Sequence, residues 1–127
     1  MRTAMALLVV FLVGAPVPGQ GKGYYDGNRL MRGLVFWSQS ANALAPLSDK
    51  DQLDSHIAYG YVLGAAEAGS IFKLDLFCSP DNAVQGQLID VVYQYLERHP
   101  ERRHQGAAGL VCLALAEAFP CAKAKTP

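Results

Sequence analysis

The sequence is poor in charged residues, and this shortage argues against binding to nucleic acid. Charged residues make up 17% of the 127 residues, and 11 basic side chains balance 11 acidic ones, so the formal net charge is zero. The chain therefore lacks the positive field that binding to nucleic acid requires, and it has no general attraction for anionic lipid. We expect no nucleic-acid partner.

No apolar run after the N-terminus is long enough to span a membrane, and the N-terminus itself has the layout of a secretory signal peptide. Arg2 supplies the positive charge, residues 4–13 are apolar, and two prolines end the run before Gly19. An uncleaved membrane anchor is the alternative, but the run is nearer ~10–14 residues than the ~20 residues of a spanning helix. We predict an exported protein with a signal peptide over residues 1–19, one domain over residues 20–127 and no membrane partner after cleavage.

Cysteine is scarce as well, and three cysteines in an exported chain predict one disulfide and one free thiol. On one helix, the separation of Cys112 and Cys121 corresponds to a rise of about 13 Å, whereas a disulfide needs Cα atoms within ~7 Å. Cys112 also lies in an apolar run, where a buried thiol behaves as a small hydrophobe. We therefore predict a disulfide between Cys78 and Cys121, which closes a loop of about 40 residues, and a free, buried Cys112.

Apolar residues recur at helical spacing in four segments, and no segment alternates with the period of two that is typical of strands. The predicted helices cover residues 27–39, 49–69, 83–98 and 103–118. Ser48 is the expected N-cap of the second helix, and Asp81 or Asn82 that of the third. The predicted fold class is all-α, a compact bundle of about four helices with one disulfide.

Each predicted helix has an apolar face that we expect to be buried. The fourth helix is apolar almost all round, which is typical of a helix buried on most sides. Two glycines inside the second helix cost about 1 kcal/mol each relative to alanine, so they predict close approach of another helix. The predicted buried faces of the first three helices are Leu30, Leu34 and Trp37; Leu53, Ile57, Gly60, Gly64 and Ala68; and Val84, Leu88, Val91, Val92 and Tyr95.

No motif indicates catalysis or cofactor binding. The glycines of residues 60–69 do not have the spacing of a dinucleotide or phosphate loop, and no strand precedes them. His99, Glu101 and His104 have metal-ligand chemistry, but Pro100 interrupts any helical ligand face and arginines crowd the segment. The serines and histidines do not form a recognisable catalytic signature. We predict that the chain is not an enzyme and has no catalytic residues, no metal and no cofactor.

An ordered set of short motifs spans nearly the whole chain after the signal peptide. Its most specific part is the block from Val91 to Cys121. The motifs are Gly27-Asn28 with Leu30, Gly60-Tyr61-Val62 with Gly64, Cys78 with Pro80, Gln87-Leu88, Val91-Val92, Tyr95-Leu96, His99-Pro100-Glu101, Arg103-His104, Ala107-Ala108, Leu110-Val111, Ala114-Leu115 and Phe119-Pro120-Cys121. In this set the chain resembles the Rap/Tai immunity family.

The resemblance implies an exported, helical protein of the periplasm that binds and blocks a peptidoglycan amidase effector of type VI secretion. It also implies that the protein does no chemistry. Family members are often dimeric, so the chain is expected to be a monomer or a homodimer. The family usually has two further cysteines, at places that here hold about Leu34 and Ala58, which indicates the loss of one disulfide. The alternative is an exported structural or chaperone-like periplasmic protein without a toxin partner.

If the chain is such an inhibitor, we expect exposed groups on turns to contact the amidase. The turn from Lys73 to Asn82 is favoured, because Cys78 tethers it and because it carries aromatic residues that could anchor a partner. A second turn, from Arg98 to His104, matches the family more closely, which can equally mean that it only holds the third and fourth helices together. The predicted partner-binding residues are Phe72, Lys73, Asp75 and Phe77, and those of the second turn are Arg98, His99, Arg102 and Arg103.

Overall fold

The computed structural model describes residues 24–42, 46–72 and 74–122, and this part of the chain is all-α. Its α-helices are α1 (Gly27–Ala41), α2 (Asp49–Ile71), α3 (Gln85–Arg98) and α4 (Ala107–Ala118), and a 3₁₀ turn (Pro100–Arg102) follows α3. The predicted helical bundle is confirmed, and so is the disulfide between Cys78 and Cys121. The predicted signal peptide and Lys73 lie outside the described residues.

Side-chain caps fix the starts of the first two helices. The Asp26 carboxylate accepts the N–H of Arg29 at 2.9 Å. The Ser48 hydroxyl accepts the N–H of Asp51 at 3.2 Å and donates to the Asp51 carboxylate at 2.7 Å. Each cap satisfies an N–H that has no partner inside its helix, and Asp51 adds favourable negative charge at the N-terminus. The predicted Ser48 cap is confirmed.

The third helix starts later than predicted. Val84 occupies the N-cap position and makes no side-chain cap bond, so the prediction of an Asp81 or Asn82 cap is wrong. Those two residues instead lie in a turn after Pro80, in which the Ala83 N–H donates to the Pro80 carbonyl at 2.9 Å.

The fourth helix also starts later, at Ala107 rather than at residue 103. The backbone before it is paired with the segment that precedes α1. The Gly27 N–H donates to the Gln105 carbonyl at 3.0 Å, and the Ala107 N–H donates to the Tyr25 carbonyl at 2.9 Å. Because this pairing already uses the backbone groups of residues 105–107, the helix begins only after it.

The core is a cluster of apolar side chains from all four helices. The α1–α2 contact is close, because Gly33 has no side chain. A Cβ atom at Gly33 would lie 2.5 Å from both the Ala58 Cβ and the Asp54 carbonyl oxygen. The largest fully buried side chains are Tyr95, Leu30, Leu34, Ile89, Leu96, Leu110 and Leu115.

The buried face of α2 is opposite to the predicted one. Leu53 is 59% exposed and Ile57 is 46% exposed, and a Cβ atom at Gly60 or Gly64 would meet nothing within 4 Å in the described part of the protein. The prediction that these residues form a buried stripe with Ala68, which is only partly buried, is therefore wrong. The residues that are buried are mostly small, which allows α2 to contact all three other helices: Ser55, Ala58, Val62, Ala66 and Gly69.

The buried faces of the other helices agree more closely with the prediction. Leu30 and Leu34 are fully buried, whereas Trp37 is partly buried and packs on the Tyr59 ring with centroids 4.4 Å apart. In the predicted face of α3, Val84 is an exception, because it lies at the N-cap position and is 65% exposed. On α4, Leu113 is 44% exposed, so this helix is less buried than predicted.

Cys112 is a free thiol, as predicted, but it is only half-buried. Among the described residues, no helix combines the length and apolarity needed to cross a membrane.

Candidate functional site

The segment that follows α2 exposes a group of apolar side chains. Ile71 is 73% exposed, Phe72 71%, Leu74 54% and Leu76 45%. We call these four side chains the apolar loop patch. A large exposed apolar patch marks a contact surface for another molecule, whereas apolar side chains that are exposed singly are normal. The patch therefore identifies this segment as the candidate site.

The loop is anchored at both of its ends. At the first end, the Leu74 N–H donates to the Gly69 carbonyl at 3.3 Å. At the second end, Cys78 is bonded to Cys121, and its N–H donates to the Phe119 carbonyl at 2.8 Å. The loop thus has little freedom to lose when a partner binds, and such pre-organisation favours affinity.

The predicted site residues divide between the surface and the interior. Phe72 and Asp75 are exposed, whereas Phe77 is partly buried and packs against the core. A Cβ atom at Gly69 would lie only 3.0 Å from the Phe77 ring, so the absence of a side chain there makes room for the phenylalanine. Asp75 has a φ of +47°, in the left-handed region that residues other than glycine seldom adopt.

Sequence reasoning missed Ile71, Leu74 and Leu76 as site residues. A usable signal was present, because residues 71–77 hold five apolar side chains in a segment that predicted helices did not cover. Such a run outside a helix is either buried or available to a partner, and only the structure separates these two cases.

An open groove with a volume of about 200 Å³ lies beside the apolar loop patch. It runs between the end of α2 and the first turn of α3, and its lining is mainly apolar. Glu67 and two serines add polar atoms to the lining. A groove of this size can take one apolar side chain of a partner. The lining residues are Ala66, Glu67, Ser70, Ile71, Phe77, Ser79 and Leu88.

The side chains of the second predicted turn form contacts within the protein. The Arg103 guanidinium donates to the Leu96 carbonyl at 2.7 Å and to the Glu97 carbonyl at 3.4 Å. It thereby satisfies carbonyls at the end of α3 that have no helical partner. Arg102 donates to the Tyr95 hydroxyl, which joins the turn to the core.

The remaining members of this turn also have partners within the chain. Arg98 forms an exposed ion pair with Glu117 of α4 at 3.1 Å. The His99 ring packs on Tyr95 with centroids 4.5 Å apart, and its Nδ1 lies 3.1 Å from the Glu101 carboxylate. A backbone hydrogen bond and the His99 contact lower the pKa of Glu101.

The packing of Gly27 shows why this turn has to keep its shape. A Cβ atom at Gly27 would lie 2.8 Å from the Arg103 carbonyl oxygen. The start of α1 therefore rests directly on the backbone of the turn. The turn holds α1, α3 and α4 together, and it offers few free groups to a partner.

A polar cluster between α1 and α2 is the remaining concentration of charge. Lys50 pairs with Asp54 at 2.7 Å, and this hydrogen bond is the main cause of the lowered pKa of Asp54. The Arg29 guanidinium lies 5.0 Å from the centre of the Tyr25 ring. Partial burial raises the pKa of Tyr25. The lining of the cluster holds three basic side chains, Arg29, Arg32 and Lys50, and one carboxylate, Asp54, so basic groups outnumber acidic ones.

The structure offers no obvious arrangement for nucleophilic or metal chemistry among the residues it describes. Ser55 is 2% exposed, and its hydroxyl donates to the Gln52 carbonyl at 2.8 Å, so it is not available to the neighbouring His56. No group of three or more His, Cys, Asp or Glu side chains in the described ranges could hold a metal ion.

Comparison with known protein families gives one match. A family model described as Rap1a immunity proteins matches residues 27–121. The matched region contains all four described helices, the disulfide and the apolar loop patch. A search of curated proteins finds no match.

Proposed function

The chain belongs to the family of Rap1a immunity proteins, and we propose that it neutralises a peptidoglycan amidase delivered by type VI secretion. The family makes it an immunity protein against a secreted effector. The amidase as target, the periplasm as location and the homodimer rest on the resemblance of its motifs to Rap/Tai proteins. The signal peptide predicted for residues 1–19 supports this proposal, because a cell-wall amidase acts outside the cytoplasm.

The apolar loop patch is the observation that carries our assignment of the effector-binding surface. Burial of one fully exposed Leu, Ile or Phe side chain contributes about 1.5–3 kcal/mol. Two such anchors would supply several kcal/mol of binding energy, and interfaces typically depend on a few residues of this kind. In the second turn, by contrast, the arginines are occupied by contacts within the chain.

The proposed mechanism requires no chemistry from the inhibitor. An amidase that cleaves peptide cross-links has an extended cleft with its nucleophile at the base. A rigid loop that enters the cleft occupies the place of the substrate peptide and excludes it. Phe72 and Leu74 would supply the apolar contacts, and Asp75, at the turn of the loop, would supply an exposed carboxylate. The adjacent groove would accept a side chain from the rim of the enzyme.

The test begins with the product of the neighbouring reading frame, which the proposal expects to be a peptidoglycan amidase, and measures its inhibition by this protein. The variant Phe72→Ala with Leu74→Ala removes both exposed anchors. We expect at least a tenfold weaker inhibition, which corresponds to about 1.4 kcal/mol. The melting temperature should not fall, because the two side chains are 71% and 54% exposed in the free protein.

Leu113→Ala is the matched control, because Leu113 is an exposed leucine on α4, outside the loop. It should inhibit as well as the parent protein. Equal inhibition by the double variant would place the binding surface elsewhere. Failure of the parent protein to bind any amidase would reject the proposed target.

A further inference from the structure

The groove beside the apolar loop patch has a second lobe. The first lobe is the mainly apolar groove of about 200 Å³, whose lining includes Glu67. The second lobe has a volume of about 340 Å³, and its lining includes Asp75 and Cys78. The two lobes adjoin one another, because they share Ser70, Phe77 and Ser79. We call the whole depression the two-lobed groove.

Each lobe of the two-lobed groove carries one exposed carboxylate, Glu67 in the first and Asp75 in the second. The part of the chain that the structure describes contains three ion pairs, and neither of these carboxylates takes part in one. The Ser70 hydroxyl, by contrast, already donates to the Ala66 carbonyl at 3.2 Å. The two carboxylates are therefore the charged groups that the groove offers to a partner.

The zero net charge of the chain conceals an uneven distribution along it. The segment over residues 67–90 has one basic residue, Lys73, and its acidic residues are Glu67, Asp75, Asp81 and Asp90. Basic side chains collect at the other end of α2, where Arg29, Arg32 and Lys50 line the polar cluster. The two-lobed groove thus lies in an acidic part of the protein.

The basic end of α2 is too far from the groove to neutralise it. At 1.5 Å per residue, Lys50 and Glu67 are about 26 Å apart along the helix. The Debye length is about 8–10 Å at physiological ionic strength, so charges at this separation are largely screened from one another. A partner in the groove therefore meets the carboxylates without compensation from that cluster.

These features fit a partner segment in which an apolar side chain stands between basic ones. An apolar side chain gains from burial in the first lobe, and a basic side chain gains from a charge-assisted hydrogen bond with a carboxylate. An acidic segment would instead be repelled. The proposed target favours the same choice. The stem peptides of peptidoglycan carry free carboxylates, so an enzyme that binds them needs basic groups around its cleft.

We propose that the two-lobed groove binds a basic segment of the effector, which places an apolar side chain in the first lobe and Lys or Arg side chains on Glu67 and Asp75. This inference rests on the proposed function for the identity of the partner, and it adds the chemistry by which the partner is recognised. Ile71 belongs both to the apolar loop patch and to the lining of the first lobe. A partner that covers the patch therefore reaches the groove as well.

The first test titrates the product of the neighbouring reading frame into this protein by calorimetry, from about 0.01 M to about 1 M salt. Glu67→Gln with Asp75→Asn should bind at least about tenfold more weakly than the parent at low salt, because two attractive charges are lost. The difference should shrink at about 1 M salt, where the Debye length is about 3 Å. Both substitutions keep the shape of the side chain, and asparagine tolerates the positive φ of residue 75.

Glu97→Gln is the matched control for the loss of charge. Glu97 is an exposed carboxylate near the C-terminal end of α3, whereas Leu88 of the first turn of α3 lines the groove. The control should bind as tightly as the parent. Parent-like affinity of the double variant at low salt would overturn the inference. If the parent does not bind the neighbouring product at all, the proposed target is rejected, and the second test decides on the groove by itself.

The second test does not require the effector. Its probes are two short synthetic peptides, one with a leucine between arginines and the other with the same leucine between glutamates. In NMR spectra of the isotope-labelled protein, the arginine peptide should shift the amide signals of Ser70, Phe77 and Leu88, and the glutamate peptide should not. Equal shifts with both peptides, or no shift with the arginine peptide, would refute the preference for a basic segment.

A variant that fills the groove shows where the peptide binds. Ser70 lines both lobes and is exposed, so Ser70→Phe should fill the groove and remain folded by circular dichroism. The arginine peptide should no longer shift the signals of Phe77 and Leu88 in this variant. Shifts that persist in Ser70→Phe would place the peptide outside the groove and contradict the inference.

Discussion

Replacement of Gly33 by alanine should destabilise the protein, because this glycine lies directly on the backbone of α2. The added Cβ atom would lie 2.5 Å from the Asp54 carbonyl oxygen and 2.5 Å from the Ala58 Cβ. Neither obstructing atom can move by a change of rotamer. Helices α1 and α2 must therefore separate by roughly 1 Å to restore ordinary contact distances, and the core packed between them loosens.

Two opposing terms set the size of the effect. Overpacking of a core costs about 1–3 kcal/mol, and this site belongs at the upper end because two fixed atoms are in the way. The better helix propensity of alanine returns about 1 kcal/mol. We expect a net loss of about 1–2 kcal/mol in the free energy of unfolding. For a domain of this size, each kcal/mol of lost stability lowers the melting temperature by about 4–8 °C.

The assay compares thermal and urea unfolding of Gly33→Ala with those of Gly109→Ala. A Cβ atom at Gly109 meets nothing within 4 Å, so alanine there gains helix propensity and meets no obstruction. Gly109→Ala should therefore be up to about 1 kcal/mol more stable than the parent. If Gly33→Ala melts at or above the parent temperature, α1 and α2 do not pack as closely as described, and the reasoning is refuted.

Three further predictions concern the disulfide, the free thiol and the second turn. Cys78→Ser should lower the free energy of unfolding by about 2–5 kcal/mol in urea titrations, and an unchanged midpoint would contradict a structural role for the bond. Cys112 should alkylate more slowly at pH 8 in the folded than in the unfolded protein, because partial burial raises the pKa of its thiol and reduces the thiolate fraction. Arg103→Leu should lower the free energy of unfolding in urea titrations by about 1.5–3 kcal/mol, because the Leu96 and Glu97 carbonyls lose a charged hydrogen-bond donor. Arg98→Ala should change it by no more than about 1 kcal/mol, because the ion pair of Arg98 with Glu117 is exposed.

The features that could be predicted from the sequence are those with local causes. The Ser48 cap depends on residues three positions apart, and the helical period of α1 and α3 is visible in short windows. The helical spacing excludes a bond between Cys112 and Cys121, and the apolar run around Cys112 favours Cys78 as the partner of Cys121. Each of these depends on the chain itself and not on which elements meet in space.

The orientation of α2 could not be predicted, because both of its faces are apolar. One face carries Ala58, Val62 and Ala66, and the other carries Leu53 and Ile57. Periodicity identifies the two faces but does not choose between them. The choice is made by the neighbours, since a helix that contacts three others at close range needs small side chains on the contact face.

The starts of α3 and α4 were misplaced for a similar reason. The Tyr59 hydroxyl donates to the Gln85 side-chain oxygen at 2.6 Å, so a residue of α2 contacts the first residue of α3. The start of α4 depends on pairing with residues 25–27 at the other end of the domain. Such long-range contacts have no signature in a single helix pattern.

The candidate site has the same division between local and long-range causes. The tether at Cys78 could be predicted, and it directed attention to the loop that carries the exposed apolar side chains. The sequence could not predict which side chains of the loop face outward. This depends on the space left by Gly69, which admits the Phe77 ring. The outward residues Leu74 and Leu76 became visible only after that packing was known.

The contacts of the two turns suggest that one turn maintains the fold and that the other is free to contact an effector. The second turn carries residues that match the family motifs. Its Arg103 side chain is fixed by hydrogen bonds to backbone carbonyls, and Gly27 of α1 packs directly on the backbone of the turn. Replacement of either one disturbs the fold itself. The apolar loop patch makes few contacts within the described chain, so its residues can change at little cost in stability. Under the proposed function, the exposed side chains of residues 71–76 would therefore select the effector, and the family motifs would supply the scaffold that presents them.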